Sequence, residues 1–298
     1  MAIAGVLVLG LAALHGRQIE SAGTHLVVCD TTVQDKSGRP VTDLKQSAFT
    51  VSENGVKQEI RLFRHNDGPV SLGLLIDNSG SMRDKRNSVE AAALELVKAS
   101  NPGNEVFVVN FNDEVHFDNP HGKNFTTDRQ EIQEALTRID SRGDTAIWKA
   151  IVDSIAWMKK AHRETHVLVV VTDGVDDASH LKLEDLVRSA QQSDVTIYVI
   201  GLLADEEKRS AHDARRQLSL LAEATGGEAF YPHKLADVER IAQQVARQMS
   251  SQYVIGYKPS NEALDGAFRR IKVTVKAAGR PTVRTRTGDY AAADPASN

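Results

Sequence analysis

The run Leu72-Gly-Leu-Leu-Ile-Asp77-Asn-Ser79-Gly-Ser81 places a carboxylate and two hydroxyls at alternate positions, where an apolar segment gives way to a turn. Oxygen donors at i, i+2 and i+4 around a glycine turn can converge on one point. Two more stand at comparable places: Thr145, which opens a helical segment after Ser141-Arg-Gly-Asp144, and Asp173, which closes the apolar run from His166. Five oxygen donors without Cys or His suit Mg2+ or Ca2+, and not zinc or copper. Mg2+ is the first choice, with Mn2+ or Ca2+ as substitutes. Two carboxylates cancel a divalent charge only if both coordinate directly, so hydroxyl and water ligands leave the ion open to a carboxylate from outside.

The elements around these residues must bring them together. Leu72–Asp77, His166–Asp173 and Val195–Gly201 are nearly continuous apolar runs, the pattern of strands covered on both faces. Helix-length amphipathic segments lie at about 83–100, 128–139, 145–161, 183–193, 206–225 and 234–250. Strands alternating with helices predict a parallel α/β sheet, whose strand ends line a ligand crevice. Val106–Phe111 adds a strand, and Glu114–Asp118 follows too closely for a crossover helix, so it is expected as an antiparallel edge.

The flanks have a β texture. Before residue 68, short alternating runs are separated by turn signals, with Asn54-Gly55 marking a hairpin. After residue 251 the runs QYVIGYKPS, FRRIKVTVKAAG and PTVRTRTGDYA return to it. Neither flank of about 40 residues buries enough surface alone. The expected organisation is 24–68 and 252–291 as the two parts of one small β-sandwich, with 69–251 inserted between them and 292–298 a disordered tail. Met1–Leu14 is an uncharged apolar run too short to span a bilayer and is read, within 1–23, as an export signal, a retained signal anchor being the alternative. An exported protein, periplasmic, cell-surface or secreted, is therefore expected.

Composition narrows the function. The 298 residues carry 36 Lys plus Arg against 40 Asp plus Glu, with no strongly basic stretch, so nucleic acid is a poor partner. Cys29 is the one cysteine, which excludes an intrachain disulfide; it lies in an alternating strand and is expected to be a buried thiol. An aspartate-nucleophile hydrolase needs a second acid where Ser79 stands, and no nucleophile elbow, P-loop or dinucleotide fingerprint is present. Asp144, Asp176 and Asp177 are expected to be solvated loop carboxylates, and Arg142-Gly143-Asp144 a chance triplet. Trp148 and Trp157, nine apart on one helix, should face opposite sides, one core and one surface.

Asp77-x-Ser79-x-Ser81, Thr145, and Asp173 in Val-Thr-Asp-Gly together resemble the metal-ion-dependent adhesion site of von Willebrand factor A domains, over about residues 70–250. VTDLKQSAFTVSENGVKQEIRLF before the domain and QYVIGYKPSNEALDGAFRRIKVTVK with TGDY after it resemble a bacterial, exported group of such proteins; Ala48 stands where that group would have an acidic residue. The resemblance implies a Rossmann-like sheet of order 3-2-1-4-5-6 with strand 3 antiparallel. It also implies a non-enzymatic module that captures an Asp or Glu of a protein partner through Mg2+ on Asp77, Ser79, Ser81, Thr145 and Asp173. The alternatives are a scaffold with a vestigial or purely structural metal site and a metal-dependent hydrolase.

Overall fold

The chain leaves one antiparallel sheet at Asn66 and rejoins it at Gln252, and these two residues are register partners. Everything between them is a separate α/β layer structure. The computed structural model describes residues 26–137 and 141–291. The expected export signal and disordered tail lie outside the described residues.

Strands β1 (Val27–Gln34), β2 (Phe49–Glu53), β3 (Val56–Gln58) and β4 (Ile60–Asn66) come first. The α/β part follows as β5 (Val70–Asp77), α1 (Arg86–Ala99), β6 (Glu105–Phe111), β7 (Val115–Phe117), α2 (Arg129–Leu136), α3 (Ile147–Trp157), β8 (Thr165–Thr172), α4 (Leu183–Gln191), β9 (Val195–Gly201), α5 (Lys208–Thr225), β10 (Ala229–Phe230) and α6 (Val238–Met249). The chain closes with β11 (Gln252–Tyr257), β12 (Phe268–Val275), β13 (Thr282–Thr285) and β14 (Gly288–Tyr290).

The central sheet runs β10-β9-β8-β5-β6-β7, with β7 antiparallel to β6 and the other pairs parallel. This is the expected order 3-2-1-4-5-6. Every residue of β5, β6 and β9 is buried, because helices cover both faces. One face packs Leu72, Leu74 and Val169 against α1 and α6, the other packs Leu75, Val170 and Val199 against α3, α4 and α5. Trp148 is buried in the second of these cores. Trp157, two and a half turns further along and so on the opposite side of the helix, is partly buried, stacks on Phe117 with ring centroids 4.2 Å apart, and carries the Lys160 ammonium over its ring.

The flanking segments interleave in two antiparallel sheets, β13-β1-β11-β4 and β14-β12-β2-β3. Between them lies one core of Val27, Cys29, Phe49, Val51, Tyr253, Ile255, Tyr257 and Ile271, drawn from both ends of the chain. Burial pushes the Cys29 thiol up to about 12, so it is a packing group and not a nucleophile. Asn54 and Gly55 both take positive φ, 48° and 84°, as a two-residue hairpin turn between β2 and β3 requires. The last β segment is not continuous: it is broken at Arg286-Thr287, so that β13 pairs with β1 and β14 with β12 in the other sheet.

The sandwich sits at the amino-terminal end of the central sheet. Arg286 donates to the Gln191 and Ser193 carbonyls before β9, and Arg284 pairs with Glu228 before β10, which also accepts from Gln248 at 2.8 Å. Asn66 donates to Thr165 at the start of β8, at 2.9 Å. Gly226 ends α5 with φ +88°, and a Cβ there would come within 2.7 Å of the Arg286 amide, so both its conformation and its clearance need glycine. We propose that 24–68 and 252–291 are one domain and 69–251 an insertion in it. A chain of residues 24–251 strips β1 and β4 of β11 and bares Val27, Cys29 and Phe49. It should aggregate or lose 24–68 to limited proteolysis, whereas 24–291 resists, and a soluble 24–251 with an unchanged melting temperature would rule this arrangement out.

Candidate metal centre

Adjacent parallel strands β5 and β8 end level with each other, which brings Asp77 and Asp173 to the same edge of the sheet. Both carboxylates are buried, at 1% and 0% exposure. Two buried acids side by side carry a large desolvation cost unless polar groups replace water. Here they do. Asp77 Oδ1 accepts from the Ser79 amide at 2.8 Å and Oδ2 from the Thr172 hydroxyl at 2.6 Å. Asp173 Oδ1 accepts from Ser81 Oγ at 2.8 Å, and Ser81 Oγ is 3.1 Å from Ser79 Oγ. Asp173 Oδ2 takes the Lys85 ammonium at 2.7 Å, in an ion pair nearly sealed from solvent.

The loop that carries Ser79 and Ser81 is fixed from two sides. Asn78 donates through its amide to Phe111 O at 2.7 Å and through its side chain to Asn110 Oδ1 at 2.8 Å. The Gly80 amide donates to Gly143 O at 3.1 Å, and the Arg142 amide to Asn78 O at 2.9 Å. The Arg142-Gly143-Asp144 triplet is therefore zipped against the Asp77 loop. Gly143 has φ +73°, and a Cβ on it would lie 2.0 Å from Asp113 Oδ1. Ser79 is buried and Ser81 exposed, so the centre opens to solvent through Ser81.

Thr145 faces this group from the opposite loop. Its amide donates to Asp177 Oδ1 at 2.8 Å and its carbonyl accepts from the Asp177 amide at 3.1 Å. Its Oγ1 stands 4.0 Å from where a Cβ on Gly174 would be, beside Asp173. Thus four of the five expected residues, Asp77, Ser79, Ser81 and Asp173, join in one hydrogen-bonded chain, and Thr145 stands across from them without a hydrogen bond to that chain. Asp177 is exposed, as expected of a loop acid, while Asp176 is partly buried and departs from that expectation. Asp176 accepts from Trp148 N at 2.9 Å and from Ser179 Oγ, while Ser179 Oγ takes Lys149 N at 3.0 Å, so this loop caps the start of α3. Burial raises the Asp176 carboxyl above its usual range.

Lys85 and Thr172 were not among the expected site residues. A signal for Lys85 was present: it lies four residues after Ser81, one helical turn on, where a long cationic side chain can return to the turn. Thr172 immediately precedes Asp173, and a polar residue ending an apolar strand beside an acid is a weaker hint.

Among the described residues no three His, Cys, Asp or Glu side chains cluster to hold a metal. Any cation here must draw on hydroxyls. The donor set of two carboxylates and three hydroxyls has the hard-oxygen chemistry that suits Mg2+, Mn2+ or Ca2+, and the residues fit such an ion.

An open, mostly parallel sheet covered by helices on both faces, with an oxygen-donor cluster at the carboxyl ends of its central strands, defines an α/β domain of the doubly wound kind. The chain belongs to the von Willebrand factor type A domain family, whose model matches residues 72–263. A von Willebrand factor type A protein from Catenulispora acidiphila superposes with a TM-score of 0.52 at 15% identity, over 92% of this chain and 75% of that one. Also similar are the vWF domain of the type V pili tip protein Mfa5 from Porphyromonas gingivalis (TM-score 0.48, 15% identity, 59% of this chain and 95% of that one) and an aerotolerance-related membrane protein from Bacteroides fragilis (0.49, 14%, 61% and 98%). These are likenesses of fold. Comparison with curated proteins gave no match.

Burial, with Asp173 adding repulsion, raises the Asp77 carboxyl from 3.8 to about 6. The folded chain then holds the Asp77 proton more tightly than the unfolded chain does, so ionising it subtracts stability as pH rises from about 4 to about 6. The loss is complete above that range, at about 3 kcal/mol. In EDTA, Asp77→Asn should match the parent protein below about pH 4 and exceed its stability at pH 8 in denaturant titrations. The oxygen of the new side chain can keep the Ser79 amide, and Thr172 Oγ1, which donates to the carboxylate in the parent protein, can accept from the new amide nitrogen instead. Equal stability of the two proteins at pH 8 would contradict this account.

Proposed function

We propose that the chain is a non-enzymatic, divalent-cation-dependent protein-binding module, exported from the cell, that captures an Asp or Glu side chain of a partner. Asp77, Ser79, Ser81, Thr145 and Asp173 would hold Mg2+, with Mn2+ or Ca2+ able to use the same donors. When bound, the ion supplies a Lewis-acidic position for a carboxylate. The observation that carries this reading is the buried Asp77–Asp173 pair, joined by the Ser79 and Ser81 hydroxyls and opening to solvent through Ser81. Export rests on the apolar Met1–Leu14 run; among the described residues no helix is long and apolar enough to cross a membrane. Family membership supports an interaction role, and among the described residues that form the centre no general base stands out beyond the carboxylates assigned to the ion.

A second reading takes the Lys85–Asp173 ion pair as a self-neutralised, vestigial centre and gives partner contacts to the sandwich, where Phe268, Arg270 and Lys272 project outward from β12. Thermal unfolding of residues 24–298 separates the two. At about 100 times its dissociation constant a cation adds roughly 2.7 kcal/mol, which raises the melting temperature by about 5–10 °C. Mg2+ or Mn2+ should produce that rise and Asp173→Ala should abolish it, together with EDTA-sensitive capture of partners. A melting temperature indifferent to about 10 mM of Mg2+, Mn2+ and Ca2+, with partner capture that survives EDTA, would favour the second reading.

A further inference from the structure

The sheet β14-β12-β2-β3 has one face in the sandwich core and the other in solvent. On β12, Arg269, Ile271 and Val273 are buried while Phe268, Arg270 and Lys272 are exposed, so alternation sends the second set outward. Lys272, Ser52 and Lys57 are register partners and form one row across β12, β2 and β3. On β14 the outward residues are Gly288 and Tyr290, opposite Arg270 and Phe268. The face thus carries three cations, the hydroxyls of Thr50, Ser52 and Thr274, and no acid. Acids close by in sequence are taken by other cations: Glu59 by Arg61, Glu262 by Lys258, and Glu53 and Asp265 by Arg269.

Phe268 gives the face its shape. Its ring is 40% exposed, packs on Tyr290 with centroids 5.1 Å apart, and reaches over Gly288, where a Cβ would come within 2.2 Å of it. Glycine at 288 therefore lets an aromatic ring lie across the strand. Tyr290 in turn takes the Arg188 guanidinium of α4, 5.3 Å from its centroid. An open hollow lies on either side of the row of Phe268, Arg270 and Lys272. One, of about 520 Å3, is bounded by Tyr290 and Thr287, and the other, of about 510 Å3, by Ser52 and the Asn54-Gly55 turn.

The geometry points to this face as a docking surface for an anionic polysaccharide, a chain of sugar rings bearing carboxylate, phosphate or sulfate groups. Charge sets the sign of the partner. Arg270 and Lys272 stand about 7 Å apart along β12, and Lys57 stands about 10 Å across the sheet from Lys272. Cations spread over that span suit a repeating anion and not a single one. Shape and polarity set the class. One exposed ring is little apolar surface for entry into a lipid layer, and the centre of a protein interface is poor in lysine. Sugar rings can lie in the two hollows with their apolar edges against Phe268, while their hydroxyls meet Thr50, Ser52 and Asn54. The face is separate from the Asp77 centre and needs no bound cation.

Affinity electrophoresis of the full chain in EDTA tests this, in gels containing polygalacturonate, dextran sulfate or neutral dextran. Sedimentation with vesicles of equal parts phosphatidylcholine and phosphatidylglycerol is the lipid arm. EDTA keeps cations from the Asp77 centre, so the outcome is independent of the metal reading. Polygalacturonate or dextran sulfate should retard the parent protein, salt should release it, and neutral dextran should have no effect. The combined variant Lys57→Gln, Arg270→Gln, Lys272→Gln should bind about tenfold more weakly and melt with the parent, since all three side chains leave the core untouched. Should it melt lower, Lys57→Gln with Lys272→Gln takes its place. Phe268→Ser should weaken binding severalfold without changing its salt dependence. No retardation by either polyanion, or equal retardation of the parent and the cation variant, overturns the assignment. Binding to the vesicles as tight as to the polymers also overturns it, and makes the face a lipid-docking surface instead.

Discussion

The structure is organised around the burial of two carboxylates at the carboxyl ends of neighbouring parallel strands. Asp77 and Asp173 are held out of water with like charge, a condition that an apolar core cannot meet. Each carboxylate oxygen therefore takes a donor from the protein: a backbone amide, two hydroxyls and an ammonium. Those donors come from three places in the chain, and each must be fixed. The Asp77 loop is tied to β6 through Asn78, the facing loop is tied to the Asp77 loop through Gly143, and α3 is tied to the β8 loop through Asp176 and Ser179. Gly143, in the exposed Arg142–Asp144 turn, takes φ +73°, a conformation that favours glycine, where its carbonyl holds the Gly80 amide.

Much of this was legible from residue types. Alternation and turn chemistry act within a few residues, so the Asn54-Gly55 hairpin and the order of the central sheet followed from local pattern and the rules of parallel sheets. Asp77, Ser79, Ser81 and Asp173 could be grouped from the sequence because they lie at or just beyond the ends of two apolar strands, and parallel pairing of β5 with β8 brings those ends together. What was not legible depended on approach between segments distant in sequence. Lys85 reads as an ordinary solvated lysine until Asp173, 88 residues on, is placed beside it. Asp176 and Asp177 read as loop acids until the start of α3 is seen to lack caps of its own. The break at Arg286 is hidden for the same reason, since the carbonyls that hold it belong to residues more than 90 positions away.

The position of the sandwich gives these features a functional direction. Its contacts fall at the amino-terminal starts of β8, β9 and β10, through Asn66, Arg286 and Arg284. Asp77 lies at the other end of β5, seven residues further along the strand, which is about 23 Å. A parallel sheet has one end where the strands enter and one where they leave, and the sandwich takes the first because both of its connections to the insert are there: β4 leads directly into β5, and α6 runs back down to β11. The carboxyl end thus stays clear of the chain's own second layer. In the function proposed above, a partner would reach Ser81 over the loops that follow β5 and β8, at the end of the sheet opposite the sandwich.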